Sequence, residues 1–141
     1  MSESRPDTVA RMVAEAKEHV ESLPVERVAA EIEGGGVVII DVREEDERLL
    51  EGALPNAMHV PRGMLELSAD PDSPLHREEF DPEGQLILYC SSGSRSALGA
   101  YTLQRMGYGN VAHLDGGLME WKRDGRRVEM VGFVERPFPS E

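Results

Sequence analysis

The chain has 141 residues, of which 40% are apolar, so it is the size of one domain and can bury a core; this excludes disorder as the default state. Its 27 acidic and 15 basic residues give a net charge of −12, which repels phosphate backbones and argues against a nucleic-acid partner. The apolar runs are too short to span a bilayer, and the first residues do not resemble a signal peptide. We therefore expect a cytoplasmic protein without a membrane partner.

The first two predicted elements are helices. Apolar residues from Val9 to Val20 recur at helical spacing, and Asp7 or Thr8 is suited to the N-cap. This N-terminal helix has two interpretations, since it could pack on its own domain or form a homodimer contact. A second helical pattern covers residues 25–32 and is closed by three glycines.

Three apolar runs, each followed by a helical pattern, predict the centre of the fold. Such runs are typical of strands buried on both faces, as in parallel sheets. The alternation indicates an α/β fold with a small, open, mainly parallel central sheet and helices on both faces. The runs are 37–40, 86–89 and 111–114, and the helical patterns that follow them are 44–50, 96–106 and 118–123.

The remaining segments set the predicted domain limits. Residues 68–84 are rich in Pro, Asp and Ser and predict a long connection with one helical turn near residues 76–80. We expect an N-terminal helical extension over residues 1–22, one domain over residues 23–130, and a C-terminal tail over residues 131–141.

The only cysteine, Cys90, directly follows a predicted buried strand. A single cysteine cannot form an internal disulfide, and no cysteine cluster exists to hold a structural zinc. Because open parallel sheets bind ligands at the carboxyl ends of their strands, a cysteine at this exit is a candidate nucleophile. The alternative is an inert buried thiol. Asp41 and Asp115 also follow predicted strands, so we expect the three side chains to face one another.

A short polar segment connects Cys90 to the next predicted helix. Its backbone N–H groups can surround the sulfur, and the helix N-terminus adds partial positive charge; both stabilise a thiolate or persulfide anion. Arg95 is the one basic residue of this segment. It could contact an anionic donor, or it could brace the loop through carboxylates. The predicted substrate-binding residues are Ser91, Ser92, Gly93, Ser94, Arg95 and Ser96.

A further set of residues is predicted to support the loop. The supporting residues are Asp41, Arg43, Asp115, Gly116 and Gly117. Asp41 and Arg43 would form a structural ion pair beneath the loop, and the other three would permit a tight turn beside it. His59 and His113 lie in or beside apolar segments and are interpreted as structural, not as partners of Cys90. The acidic run over residues 44–47 is interpreted as a solvated helix N-terminus.

Four motifs, in order, resemble the rhodanese homology domain over residues 23–128. They are Asp41-Val42-Arg43-Glu44, the turn over residues 51–57 with Pro61 beyond it, the loop from Cys90 to Ser96, and Leu114-Asp115-Gly116-Gly117 with Trp121. Each motif is weak alone, but their order and spacing together are specific. The resemblance implies a small α/β domain with a central parallel sheet.

The resemblance also implies an activity, that of a sulfurtransferase. The thiolate of Cys90 would take a sulfane sulfur from a small anionic donor such as thiosulfate, hold it as a persulfide, and pass it to a thiol or cyanide. No cofactor beyond this covalent persulfide, and no metal, is implied. The alternative is a sulfur carrier without turnover that hands persulfide sulfur to a dedicated partner protein.

Loop length separates these readings from a third, a phosphatase or arsenate-reducing enzyme. Four residues separate Cys90 from Arg95, whereas phosphatases that resemble the rhodanese domain use a loop one residue longer. The sequence therefore favours sulfur over phosphate. Because the loop has a single cation and the protein is acidic, thiosulfate is expected to be a surrogate for a natural donor that the sequence does not identify.

Overall fold

The computed structural model describes residues 5–132, which form one five-stranded parallel sheet with the order β1-β5-β4-β2-β3. The strands are β1 (Glu21–Leu23), β2 (Val37–Asp41), β3 (Met58–His59), β4 (Gln85–Tyr89) and β5 (Val111–Leu114). Every neighbouring pair is parallel. The predicted α/β class with a parallel sheet is confirmed.

Helices follow the strands as the sequence predicts, with shifts of a few residues at their ends. They are α1 (Val9–His19), α2 (Val25–Gly34), α3 (Glu45–Glu51), α4 (Leu65–Ala69), α5 (Ser94–Arg105) and α6 (Gly117–Arg123), with a 3-10 turn at Arg62–Met64. Thr8 is the N-cap of α1. The sequence did not predict β1 or α4. Within residues 5–132, none of these helices has the length and apolar character needed to cross a membrane.

The core consists of two apolar clusters, one on each face of the sheet. Successive residues of a strand point to opposite faces. Leu86, Leu88 and Cys90 therefore join one cluster, and Ile87 and Tyr89 join the other. The first cluster includes residues of α4 and α5, and the second includes residues of α2 and α6. The predicted placement of helices on both faces is confirmed.

The N-terminal segment is part of this architecture. The helix α1 packs against α5, where the ring of His19 stacks on that of Tyr101 with their centroids 4.8 Å apart. Gln104 Nε2 donates to the carbonyl of His19 at 2.9 Å. The following strand, β1, pairs with β5. Val9 and Met12 remain exposed on α1, and the homodimer contact stays a prediction.

The long connection before β4 contains turns, and the predicted helical turn near residues 76–80 is wrong. Phe80 N donates to Arg77 O at 3.0 Å, but no helix forms there. Within the segment, Arg77 N donates instead to the distant carbonyl of Ser68 at 2.9 Å. Of the predicted C-terminal tail, residues 133–141 lie outside the described residues.

The carboxylate of Asp41, at the end of β2, is a fully buried junction. Its Oδ1 accepts hydrogen bonds from the backbone N and the Nε of Arg43, both at 3.0 Å. Its Oδ2 accepts from Arg43 Nη2 at 2.8 Å, from Arg48 Nε at 3.0 Å and from the Tyr89 hydroxyl at 2.7 Å. Burial raises the pKa of Asp41, but the hydrogen bonds from Arg43 and Tyr89 outweigh it and hold that pKa below its usual value. The expected ion pair of Asp41 and Arg43 is therefore present.

The same network fixes the turn that leads into β3. Arg43 Nη2 donates to the carbonyl of Gly52 at 2.7 Å, and Leu54 N donates to the Tyr89 hydroxyl oxygen at 3.1 Å. His59 Nε2 lies 2.7 Å from the carbonyl of Arg43. The first two sequence motifs thus meet around one buried ion pair.

We expect Asp41→Asn to destabilise the fold strongly. The substitution removes the buried counter-charge of Arg43 and leaves it only the half-exposed carboxylate of Glu51, 3.4 Å from Nη1; breaking a buried pair costs about 3–5 kcal/mol. Urea unfolding measures the loss. Asp72→Asn, at an exposed position, is the control and should change the free energy of unfolding by about 0.5 kcal/mol or less. Equal stability of the two variants would contradict the junction's importance.

Candidate active site

Cys90 lies immediately after β4, and none of its surface is exposed. Its Sγ accepts hydrogen bonds from the backbone N of Gly93 at 3.2 Å and of Ser96 at 3.3 Å, and lies 3.6 Å from Ser96 Oγ. Gly93 has a φ of +108°, a left-handed conformation that lets the loop fold back over the sulfur before α5 begins. The loop therefore directs two backbone amides at Sγ, an arrangement that stabilises an anionic sulfur, while the thiol donates to Ser96 Oγ.

Arg95, the cation of this loop, is paired with Glu47 on α3. Nη1 donates to Oε2 and Nη2 donates to Oε1, each at 2.8 Å, which makes the pair bidentate. Ser91 Oγ also donates to Glu47 Oε1 at 3.3 Å. The hydrogen bond from Arg95 lowers the pKa of Glu47 to about 2, and the same bond raises the pKa of Arg95. In this structure Arg95 braces the loop.

Glu47 is a site residue that sequence reasoning missed, because it was assigned to a solvated helix terminus. It is indeed part of a capping box, since Glu44 N donates to Glu47 Oε2 at 2.9 Å. A partner for Arg95 could have been sought among the acidic residues after β2, but their number prevents a choice from sequence alone.

The start of α6 holds the loop from the opposite side. Leu118 N donates to the carbonyl of Cys90 at 2.9 Å, and Met119 N donates to that of Ser91 at 3.0 Å. Gly117 has a φ of +62°, and a Cβ added there would lie 2.5 Å from the oxygen of Ser91. Only glycine allows this close approach of the two segments.

Asp41, Asp115 and Cys90 do not face one another, so that expectation is wrong. Asp41 is in register with Tyr89, and side chains alternate along a strand, so its carboxylate lies on the Tyr89 face and not on that of Cys90. Asp115 is exposed, and its backbone N donates to the carbonyl of Leu23 at 2.9 Å.

The other predicted loop and turn residues surround the site. Ser92 is exposed on the loop, and Ser94 is half-buried at the first turn of α5. Gly116 has a φ of +79°, and its backbone N lies 3.3 Å from the position that a Cβ on Gly93 would occupy. The two turns are therefore packed backbone against backbone.

His113, interpreted as structural from the sequence, lies beside the loop in β5. Its Nδ1 is 3.0 Å from Ser96 Oγ, and its Nε2 is 2.9 Å from Ser22 Oγ. Burial, followed by the charge of Lys17, lowers the pKa of His113 to about 4, although Asp115 acts in the opposite direction. The ring is therefore neutral at neutral pH. The available signal was a polar residue within an otherwise apolar, fully buried strand.

The fold and this loop define a parallel α/β domain with a buried cysteine at the carboxyl edge of its sheet. Residues 24–124 match the family described as Rhodanese-like domain, and the chain belongs to that family.

Known proteins similar to this chain include a sulfurtransferase and solved structures of the same fold. A sulfurtransferase from Allochromatium vinosum is 30% identical over 89 residues, which are 63% of this chain and 75% of the relative. A solved structure from Rhodopseudomonas palustris, described as a protein of unknown function and a possible tyrosine phosphatase, is 34% identical with a TM-score of 0.85, covering 92% of this chain and 99% of that one. A thiosulfate sulfurtransferase from Pseudomonas aeruginosa is 30% identical with a TM-score of 0.70, covering 86% of this chain and 22% of that one.

We expect Gly117→Ala to disturb the loop and destabilise the protein by about 1–3 kcal/mol, because a side chain at this φ is strained and collides with Ser91. Urea unfolding and the backbone amide NMR shifts of Gly93 and Ser96 measure the two effects.

The control for this prediction is Gly109→Ala. An added Cβ at Gly109 meets no atom within 4 Å, so stability and loop shifts should stay as in the wild type. If both variants show unperturbed loop shifts, the turn does not position the site.

Proposed function

We propose that this protein is a sulfurtransferase that carries a sulfane sulfur as a persulfide on Cys90. The observation behind the proposal is the pair of backbone N–H groups, from Gly93 and Ser96, that converge on Sγ at the exit of β4. These donors are held in place by the fold, so they stabilise negative charge on sulfur without reorganisation. Family membership and the sulfurtransferase from A. vinosum support the same chemistry.

The reaction has two displacement steps. The Cys90 thiolate attacks the outer sulfur of a donor such as thiosulfate; a new S–S bond forms, the donor's S–S bond breaks, and sulfite leaves with the electron pair. A thiolate or cyanide acceptor then attacks the outer sulfur of the persulfide and releases Cys90 as a thiolate. Charge and electrons balance in each step, so no external oxidant or reductant takes part.

The size of the loop supports sulfur as the cargo rather than a phosphoryl group. Four residues lie between Cys90 and Arg95, and the amides of Gly93 and Ser96 close directly on Sγ. A phosphoryl group presents three oxygens and needs a wider ring of donors. An aryl-phosphate assay addresses the comparison with the R. palustris protein, and we expect no hydrolysis.

We expect intact-protein mass spectrometry to show one added sulfur atom after incubation with thiosulfate. The adduct should form on Cys90, the only cysteine, and cyanide should remove it. Cys90→Ser is the matched control and should gain no mass.

The absence of an adduct with thiosulfate, an organic polysulfide and a low-molecular-weight persulfide would refute the proposal. Thiocyanate production then measures turnover. An adduct that neither cyanide nor small thiols remove would indicate instead a carrier that serves a dedicated partner protein.

The pairing of Arg95 with Glu47 bears on which donor is used. An anionic donor that approaches Sγ must compete with the Glu47 carboxylate for the guanidinium of Arg95. The net charge of −12 opposes such a donor further. Thiosulfate is therefore proposed as a working substrate rather than the preferred one.

We expect Glu47→Gln to raise kcat/KM for thiosulfate by roughly fivefold, equivalent to about 1 kcal/mol, because it releases Arg95 and removes a negative charge. An uncharged organic trisulfide should show no such gain. Glu45→Gln, at an exposed position of the same helix, is the control for net charge. Equal gains for both donors, or for both variants, would contradict this role of Glu47.

A further inference from the structure

A line of polar groups connects the sulfur of Cys90 to the surface. Sγ lies 3.6 Å from Ser96 Oγ, which lies 3.0 Å from His113 Nδ1, and His113 Nε2 lies 2.9 Å from Ser22 Oγ. Cys90, Ser96 and His113 have no exposed surface, whereas Ser22 is exposed on the edge strand β1. The line crosses from β4 through the start of α5 and through β5 to solvent.

We propose that His113 is a positioning residue that controls the protonation of Cys90 through Ser96, and that this line carries the thiol proton to solvent. The inference rests on the proposed function in one respect, that Cys90 must become a thiolate before it attacks a donor.

The transfer balances if each group passes on one proton. In the thiol state the S–H of Cys90 donates to Ser96 Oγ, the Ser96 hydroxyl donates to Nδ1 of His113, and Nε2–H donates to Ser22 Oγ. On ionisation the sulfur's proton moves to Ser96, the Ser96 proton to Nδ1, the Nε2 proton to Ser22, and the Ser22 proton to water. The thiolate then accepts from the Ser96 hydroxyl. Within the protein only the sulfur changes charge, the positive charge leaves with the proton accepted by water, and no electrons are transferred.

The imidazole must be neutral to act in this way, since a cationic ring has no acceptor nitrogen. Burial and the charge of Lys17 on α1 lower the pKa of His113 to about 4, against the effect of Asp115 at the end of β5. The charges on the sulfur side are those of Arg95 and Glu47, which are paired with each other. The surroundings thus keep the ring neutral while Nδ1 gains a proton from Ser96 and Nε2 gives one to Ser22.

A purely structural role for this line makes a different prediction. Ser96 Oγ is also 3.3 Å from the carbonyl of Gly93, to which its hydroxyl can donate. If the Ser96 hydroxyl stayed on that carbonyl, His113 would keep one tautomer whatever the state of Cys90. The two roles are therefore distinguished by the tautomer of His113.

The deciding experiment is ¹⁵N NMR of the histidine rings in the full chain during a pH titration, with thiolate ultraviolet absorbance recorded in parallel. We expect His113 to change from the Nε2–H to the Nδ1–H tautomer as the thiolate appears, and to hold the Nδ1–H tautomer in the persulfide form. Cys90→Ser should show no change of tautomer over the same range. A single tautomer throughout, or a cationic ring while the thiolate forms, would overturn the proposal.

Kinetics of persulfide formation supply a second readout. His113→Gln keeps a hydrogen-bonding group beside Ser96 but cannot exchange tautomers, so the rate at neutral pH should fall by about tenfold and recover at high pH. His19→Gln, on α1, is the matched histidine control and should leave the pH profile unchanged. A loss of rate that persists at every pH would indicate a structural role for His113 and overturn the proposed proton transfer.

These outcomes separate the two proposals. The wild-type titration depends only on ionisation of the thiol, so it tests the proton transfer even if no donor yields a persulfide, and even if His113→Gln fails to fold. Failure of persulfide formation would refute the proposed function but would leave the proton transfer through His113 intact.

Discussion

The carboxylate of Asp41 binds two guanidinium groups and a phenol where no part of it is exposed, and the position of the Cys90 loop depends on it. Through Tyr89 it joins the ends of the two central strands. Through Arg48 it fixes α3, the helix that supplies Glu47 to Arg95. Because a buried charge left unpaired has a large cost, the groups that contact Asp41 are held firmly in place. An ion pair remote from the sulfur thereby orders the loop around it.

The helix α3 has more influence on the site than its seven residues and lack of a buried side chain suggest. Glu47 closes the capping box at its N-terminus and also holds Arg95. The cation of the loop is thus neutralised by the fold before any substrate arrives. The backbone amides alone therefore stabilise negative charge on the sulfur. They act over short distances and do not attract anions from solution.

Much of the fold was predictable because three of the parallel strands are largely apolar runs, and Cys90 stands where one run ends. The strand Glu21–Leu23 was not predictable, since it is three residues long, has no apolar pattern, and exists only through pairing with β5. The face occupied by Asp41 follows from its register with Tyr89, which requires knowledge of the strand pairing. The contact of His113 with Ser96 joins residues from different elements; a polar residue in an apolar strand marks His113, but nothing in the sequence identifies its partner.

The burial of Cys90 has a consequence for what the protein shows to its surroundings. A thiol with no exposed surface is hidden from oxidants and from other proteins. A second sulfur bonded to Sγ would lie about 2 Å from it. For a sulfurtransferase that works through Cys90, the empty and the loaded protein would then differ chiefly by one atom. A partner could distinguish the two forms by contact with the cargo itself, without any change in the shape of the domain.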